Sequence, residues 1–211
     1  MINTRNSYFC AAVSLLCAFA LCLSSTAVYA QTCSQVREDV LRLHVIANSD
    51  SETDQNIKLL VRDRLLEVGA SCFSQAENRQ QAVDAVQQAN EVLTAAANEV
   101  LSNNGADYTA TITVKKEYFD TRTYDDITLP AGVYLAVCAV LGEGQGKNWW
   151  CVMFPPLCLP AVTAPPEEFA LFDAENEPVL AAEDGYEIRF KIVELFEKWK
   201  QKIKEKQTAD T

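Results

Sequence analysis

"GVYLAVCAVLGEGQGKNWWCVMF", Gly132 to Phe154, is the stretch on which the fold turns. Its opening run, Gly132 to Gly142, is apolar on both alternating sides and rich in branched residues, as a central strand is. Asn148 to Phe154 has the same strand character. Between them Gly142, Gly144 and Gly146 alternate with polar residues. Two glycine-bounded apolar runs with a short connection read as an antiparallel hairpin. The glycines do not form a phosphate cradle. A P-loop wants glycine at the position held by Leu141, and Ser or Thr at that of Asn148. A dinucleotide fingerprint also fails, because the glycines are evenly spaced and no βαβ unit follows.

Upstream, Val40 to Ala47 alternates Leu41, Leu43 and Val45 with Arg42 and His44. That is a strand pattern, with helix as the competing reading. "NSDSETD" breaks it, and Ser51 followed by Asp54 resembles a capping box with acids crowding a helix start. Ile57, Leu60, Val61, Leu65 and Val68 mark one helix, ending near Gly69. Val83, Val86, Asn90, Leu93, Ala97 and Val100 mark a second, ended by "NNG" at Asn103 to Gly105. "DYTATITVKKEYF" alternates as a half-exposed strand. Beyond Pro155 the chain is proline-rich and then acidic, as surface loops are. It closes on an amphipathic helix with a stripe of Ile188, Ile192, Phe196, Trp199 and Ile203 and lysines in its last turns. That helix packs on its own domain or meets a membrane surface or partner. The expected fold is α+β: a mostly antiparallel sheet of about four strands covered by about three helices in a single domain.

The amino terminus bears on the compartment. Arg5 precedes the apolar run "FCAAVSLLCAFALCL", and small residues lead to Ala30, with Val28 and Ala30 suiting a signal peptidase. Residues 1–30 are expected to be a secretory signal or an uncleaved membrane anchor, and 31–211 the exported domain. Five of the eight cysteines then remain: Cys33, Cys72, Cys138, Cys151 and Cys158. Their odd count leaves at least one unpaired or joined to another chain. Cys151 and Cys158 are close enough to bridge across Pro155-Pro156, and Cys138 suits a buried thiol. The net charge of −11 argues against nucleic acid.

Catalytic signals are weak. His44 is the one histidine, and a thiol-dependent hydrolase would have to combine it with Cys151. A zinc site needs several His or Cys ligands at close spacing, and Cys151 with Cys158 supplies only a wide pair. Asp50, Glu52 and Asp54 lack the glycine and closing glutamate of a calcium loop. No catalytic residue, metal, cofactor or small-molecule substrate is expected.

"LRLHVIANSDSETDQNIKLLVRDRLL", Leu41 to Leu66, and "LPAGVYLAVCAVLGEGQGKNWWCVMFPPLC", Leu129 to Cys158, resemble the stage II sporulation protein R family. The resemblance rests on Ala47 to Ser51, Asp54-Gln55, Val61 to Asp63, the Pro130 to Gly132 turn, Gly146 to Val152 and Phe154 to Cys158. It implies a signalling protein, not an enzyme, made in the forespore and exported toward the space between forespore and mother cell. There it would activate a membrane-embedded aspartic protease that processes the precursor of sigma-E. On that reading Gly142 to Cys158 is expected to present part of the receptor surface, through Gly146, Lys147, Asn148, Trp149 and Trp150. Asn48 to Asp54, with Asn48, Asp50 and Asp54, is the second expected patch. Adjacent strand residues face opposite ways, so one tryptophan belongs to the core and the other can anchor a partner.

Overall fold

The computed structural model describes residues 4–73, 75–124, 127–155, 194–195, 197–200 and 202–203. Helix α1 (Thr4–Asp39) leads into strand β1 (Leu41–Ile46), followed by α2 (Glu52–Phe73), α3 (Arg79–Gln88) and α4 (Asn90–Asn103). Strands β2 (Ala110–Phe119), β3 (Arg122–Tyr124), β4 (Ile127–Leu129), β5 (Gly132–Leu141) and β6 (Asn148–Phe154) follow. The fold is α+β, with one mixed sheet in the order β2-β5-β1-β6 and a small β3-β4 hairpin. Residues 194–195, 197–200 and 202–203 are helical, and Leu195 and Ile203 are exposed there. The proline-rich and acidic stretch, with Cys158, Ile188, Ile192 and Phe196, lies outside the described residues.

The alternation in β1 sorts its side chains as the sequence implies. Leu41, Leu43 and Val45 join Val137, Ala139, Leu141, Ala110, Ile112 and Met153 in a core under α2, α3 and α4. Arg42 and His44 face the other way, toward a smaller core of Val36, Val40, Phe119, Tyr134, Ala136, Cys138 and Val152. The end of α1 packs there, and Arg37 Nη1 donates to Ala131 O at 3.2 Å.

The expected β5–β6 hairpin does not form. β1 lies between them, parallel to β5 and antiparallel to β6. With both its edges paired and nearly all its side chains buried, β1 takes the central place. Residues 142–147 therefore arch over the end of β1 and bond to it. Gly146 N donates to Ala47 O at 2.9 Å and Gln145 N to Asn48 O at 3.1 Å. Gly142 has a φ of 56°, and a Cβ there would lie 2.3 Å from Asn48 Oδ1. At Gly146 a Cβ would lie 2.2 Å from the Ser49 carbonyl oxygen. These glycines permit close approach as well as a turn.

Two helix boundaries also differ from expectation. α2 runs on through Gly69 to Phe73, because that glycine lies against Met153 of β6, where a Cβ would be 2.5 Å from Cε. The second helix divides at Ala89, so that α3 packs beside α2 and β1 while α4 packs on α2 and β2. Ala89 N still bonds Ala85 O at 2.9 Å and Leu93 N bonds Ala89 O at 2.9 Å, so the break is a bend and not a loop.

Gly146→Ala should destabilise the protein by about 1–3 kcal/mol, since backbone must move to admit the methyl group. Urea unfolding should show a lower midpoint with unchanged slope. A midpoint equal to that of the parent would refute the tight approach of this connection to β1.

Candidate functional site

The two sequence stretches expected as separate patches form one structure. The turn after β1 and the β5–β6 connection clasp each other. Asn48 Oδ1 accepts from Glu143 N at 3.0 Å, and Asp50 Oδ1 accepts from Lys147 N at 2.8 Å. Lys58 Nζ reaches in from α2 to donate to Lys147 O at 3.0 Å. Burial pushes the Lys58 ammonium below its ordinary pKa, while Asp50 opposes that shift.

Asp54 anchors the turn from within. Its backbone N–H takes the Ser51 hydroxyl as N-cap at 3.1 Å, bearing out the Ser51 start. Its carboxylate accepts from Ser49 Oγ at 2.6 Å, Asn48 Nδ2 at 3.0 Å and Tyr108 OH at 2.5 Å. The Ser49 and Tyr108 hydrogen bonds hold the carboxyl below its ordinary pKa against the opposing effect of burial. Asp54 is buried and Asn48 half-buried, so both are committed to the clasp. Asp50, Lys147, Asn148 and Trp149 are exposed, and Gly146 is intermediate.

The tryptophans separate by face. Trp150 packs against His44 and Phe119, with ring centroids 5.6 Å and 6.3 Å away, and carries the Arg122 guanidinium 4.3 Å above it. Trp149 is 37% exposed and lies under Arg62 of α2, 4.4 Å from its ring.

The other face holds buried polar groups. Arg42 is fully buried with its guanidinium 4.2 Å from the Phe119 ring and 5.0 Å from that of Tyr134, and it hydrogen-bonds the Tyr124 hydroxyl. Two residues on, His44 is 4% exposed. Its Nδ1 lies 2.7 Å from Glu117 Oε2 and its Nε2 3.0 Å from Asn148 Oδ1. Cys138 Sγ donates to the same Glu117 oxygen at 2.9 Å. Burial raises the Glu117 carboxyl, but the bonds from Cys138 and His44 outweigh it and leave the pKa below its ordinary value. Burial, then Glu117, pushes the Cys138 thiol up to about 12. Sequence reasoning singled out His44 but gave Glu117 no role. In the ladder Glu117 stands opposite Tyr134 and Cys138 opposite Thr113, so even the correct register does not single out this pair.

The His44–Cys151 combination is overturned. Cys151 pairs with Leu43 in the ladder and faces the helix-covered core, whereas His44 faces the opposite side. Cys151 is also disulfide-bonded; Cys158 lies outside the described residues.

The model of the stage II sporulation protein R family matches residues 37–164. Stage II sporulation protein R of Bacillus subtilis (strain 168) is 30% identical over 185 residues, covering 75% of this chain and 80% of the relative. No solved structure matches.

Asp54 should make stability pH-dependent. Its folded pKa is depressed, so its contribution is full above the unfolded value of about 3.9 and is lost as pH falls through the folded value. Asp54→Asn places amide hydrogens before donors and should cost about 1.5–3 kcal/mol at neutral pH. In urea titrations the gap between parent and variant should narrow below about pH 4. A constant gap would contradict the role of the charge.

Proposed function

The chain belongs to the stage II sporulation protein R family, and on that premise we propose that it is an exported contact signal. It leaves the forespore and activates the membrane-embedded aspartic protease that processes the precursor of sigma-E in the mother cell. The family supports a sporulation role. The observation that carries the contact mechanism is the exposed start of β6 at Trp149, where Asp50, Lys147 and Asn148 also lie at the surface around the clasp. Such a surface joins an aromatic anchor to polar groups that set orientation. The clasp fixes it in place beforehand, which lowers the ordering cost of binding.

Packing of α1 supports export. Phe9, Leu15, Leu16, Phe19, Leu21 and Val28 are exposed, while Cys33 and Val36 are fully buried in the domain. The boundary falls at Tyr29, beside the expected cut after Ala30. Cleavage there removes the exposed apolar residues together with Tyr29 and keeps Cys33 and Val36, which the domain buries. Among the described residues, no helix is long and apolar enough to cross a membrane.

The signal reading assigns no bond-making step to this chain. Its protease-activating role is tested by reconstituting the protease, its precursor substrate and this protein across two membranes. Trp149→Ala should weaken activation about tenfold or more, equivalent to roughly 1.4 kcal/mol or more of lost binding, with an unchanged melting temperature. Wild-type processing by that variant would remove Trp149 from the docking surface. Failure of the parent protein to stimulate processing would overturn the function itself.

A further inference from the structure

His44, Glu117 and Cys138 come from three neighbouring strands of the sheet, and one potential ligand atom from each lies within 4.8 Å of the others. We propose that they form a divalent-metal site, with Zn2+ the ion selected by the donor set. The reading is separate from protease activation and does not depend on it.

The donor chemistry is specific. A thiolate, an imidazole and a carboxylate suit zinc, whereas magnesium and calcium favour oxygen alone. The charges also balance: Zn2+ with one thiolate and one carboxylate is neutral, which removes the main penalty for burying an ion. Tetrahedral zinc places such ligand atoms about 3.3–3.6 Å apart. The Glu117 oxygen is 2.7 Å from His44 Nδ1 and 2.9 Å from Cys138 Sγ, so small side-chain movements open the space. The ion displaces the Cys138 thiol proton and the proton shared by Nδ1 and Glu117, and both pass to solvent. Three protein ligands leave one position for water.

The outer groups supply a second, independent indication. Coordination through Nδ1 leaves Nε2–H to donate to Asn148 Oδ1, 3.0 Å away. Such a bond orients a metal-binding imidazole and fixes its tautomer. The Trp150 and Phe119 rings, with centroids 5.6 Å and 6.2 Å from that of His44, hold the ring between them. Lys115 Nζ lies 3.6 Å from the second Glu117 oxygen and steadies the carboxylate. His44 is the one histidine of the chain, so an affinity tag of histidines must not be used.

Purified, tag-free full chain is stripped with chelator under reducing conditions and then titrated with Zn2+ or Co2+. Close to one equivalent should bind, Zn2+ should raise the melting temperature, and Co2+ should give a thiolate charge-transfer band. Cys138→Ser should abolish that band and the Zn2+-dependent thermal shift, while Cys72→Ser retains both. Asn148→Ala should weaken Zn2+ binding about 10–100-fold, as loss of an outer-shell partner does. If Cys138→Ser does not fold without metal, Glu117→Gln provides the alternative and should weaken binding. Far less than one equivalent bound to the parent overturns the site. So does binding that survives Cys138→Ser or disappears in Cys72→Ser.

Discussion

The placement of β1 between β5 and β6 is the constraint on which the rest depends. It gives the most buried strand two partners, but it separates strands that are neighbours in sequence. The connection must then pass over the end of β1 within six residues, Gly142 to Lys147. Such a path leaves no room for side chains against the Ala47 to Ser49 backbone, and it exposes polar backbone that needs partners. Gly146 answers the first demand, and Asn48, Asp50 and Lys58 answer the second. The same arrangement sets Trp149 opposite Val45, Trp150 opposite His44 and, across the other edge, Cys138 beside His44.

Much of this was legible wherever one periodicity ruled. The alternation in β1 correctly sent His44 away from Leu43 and Val45, and the acid-rich start of α2 announced its cap at Ser51. The two tryptophans divided between faces because strand geometry demands it. Pairing was not legible, because an apolar run such as Gly132 to Leu141 accepts either neighbour on either edge. Hydrophobic pattern fixes which side a residue faces, not which strand lies next to it. Gly69 misled for a related reason: a glycine that looks like a helix stop was instead a point of close approach between α2 and β6.

The sheet's two faces do different physical work. Under α2, α3 and α4 the core is almost wholly apolar, and its gain comes from area removed from water. The opposite face buries Arg42, His44, Cys138 and much of Glu117, whose solvation must be replaced by specific partners. Aromatic rings of Phe119, Tyr124 and Tyr134 surround the Arg42 cation, so its charge is met by quadrupoles rather than by a carboxylate. Glu117 is thereby left to His44, Cys138 and Lys115. Replacing buried ionic groups with apolar residues of similar volume is often neutral or stabilising, so stability of the sheet does not by itself account for that division.

Asn148 belongs to both regions. It follows Lys147 at the end of the clasp, is exposed on its outer side, and turns its amide oxygen to His44. An altered position of this one side chain would therefore be felt at the surface patch and at the buried cluster together. Trp149, the next residue, points to the opposite face of the sheet and touches neither His44 nor its partners in the hydrogen-bond network. The strand's two-residue period thus places a side chain coupled to the cluster next to one uncoupled from it. Under the proposed docking, a change at Trp149 leaves the His44 hydrogen bonds in place, whereas a change at Asn148 also alters the orientation of His44.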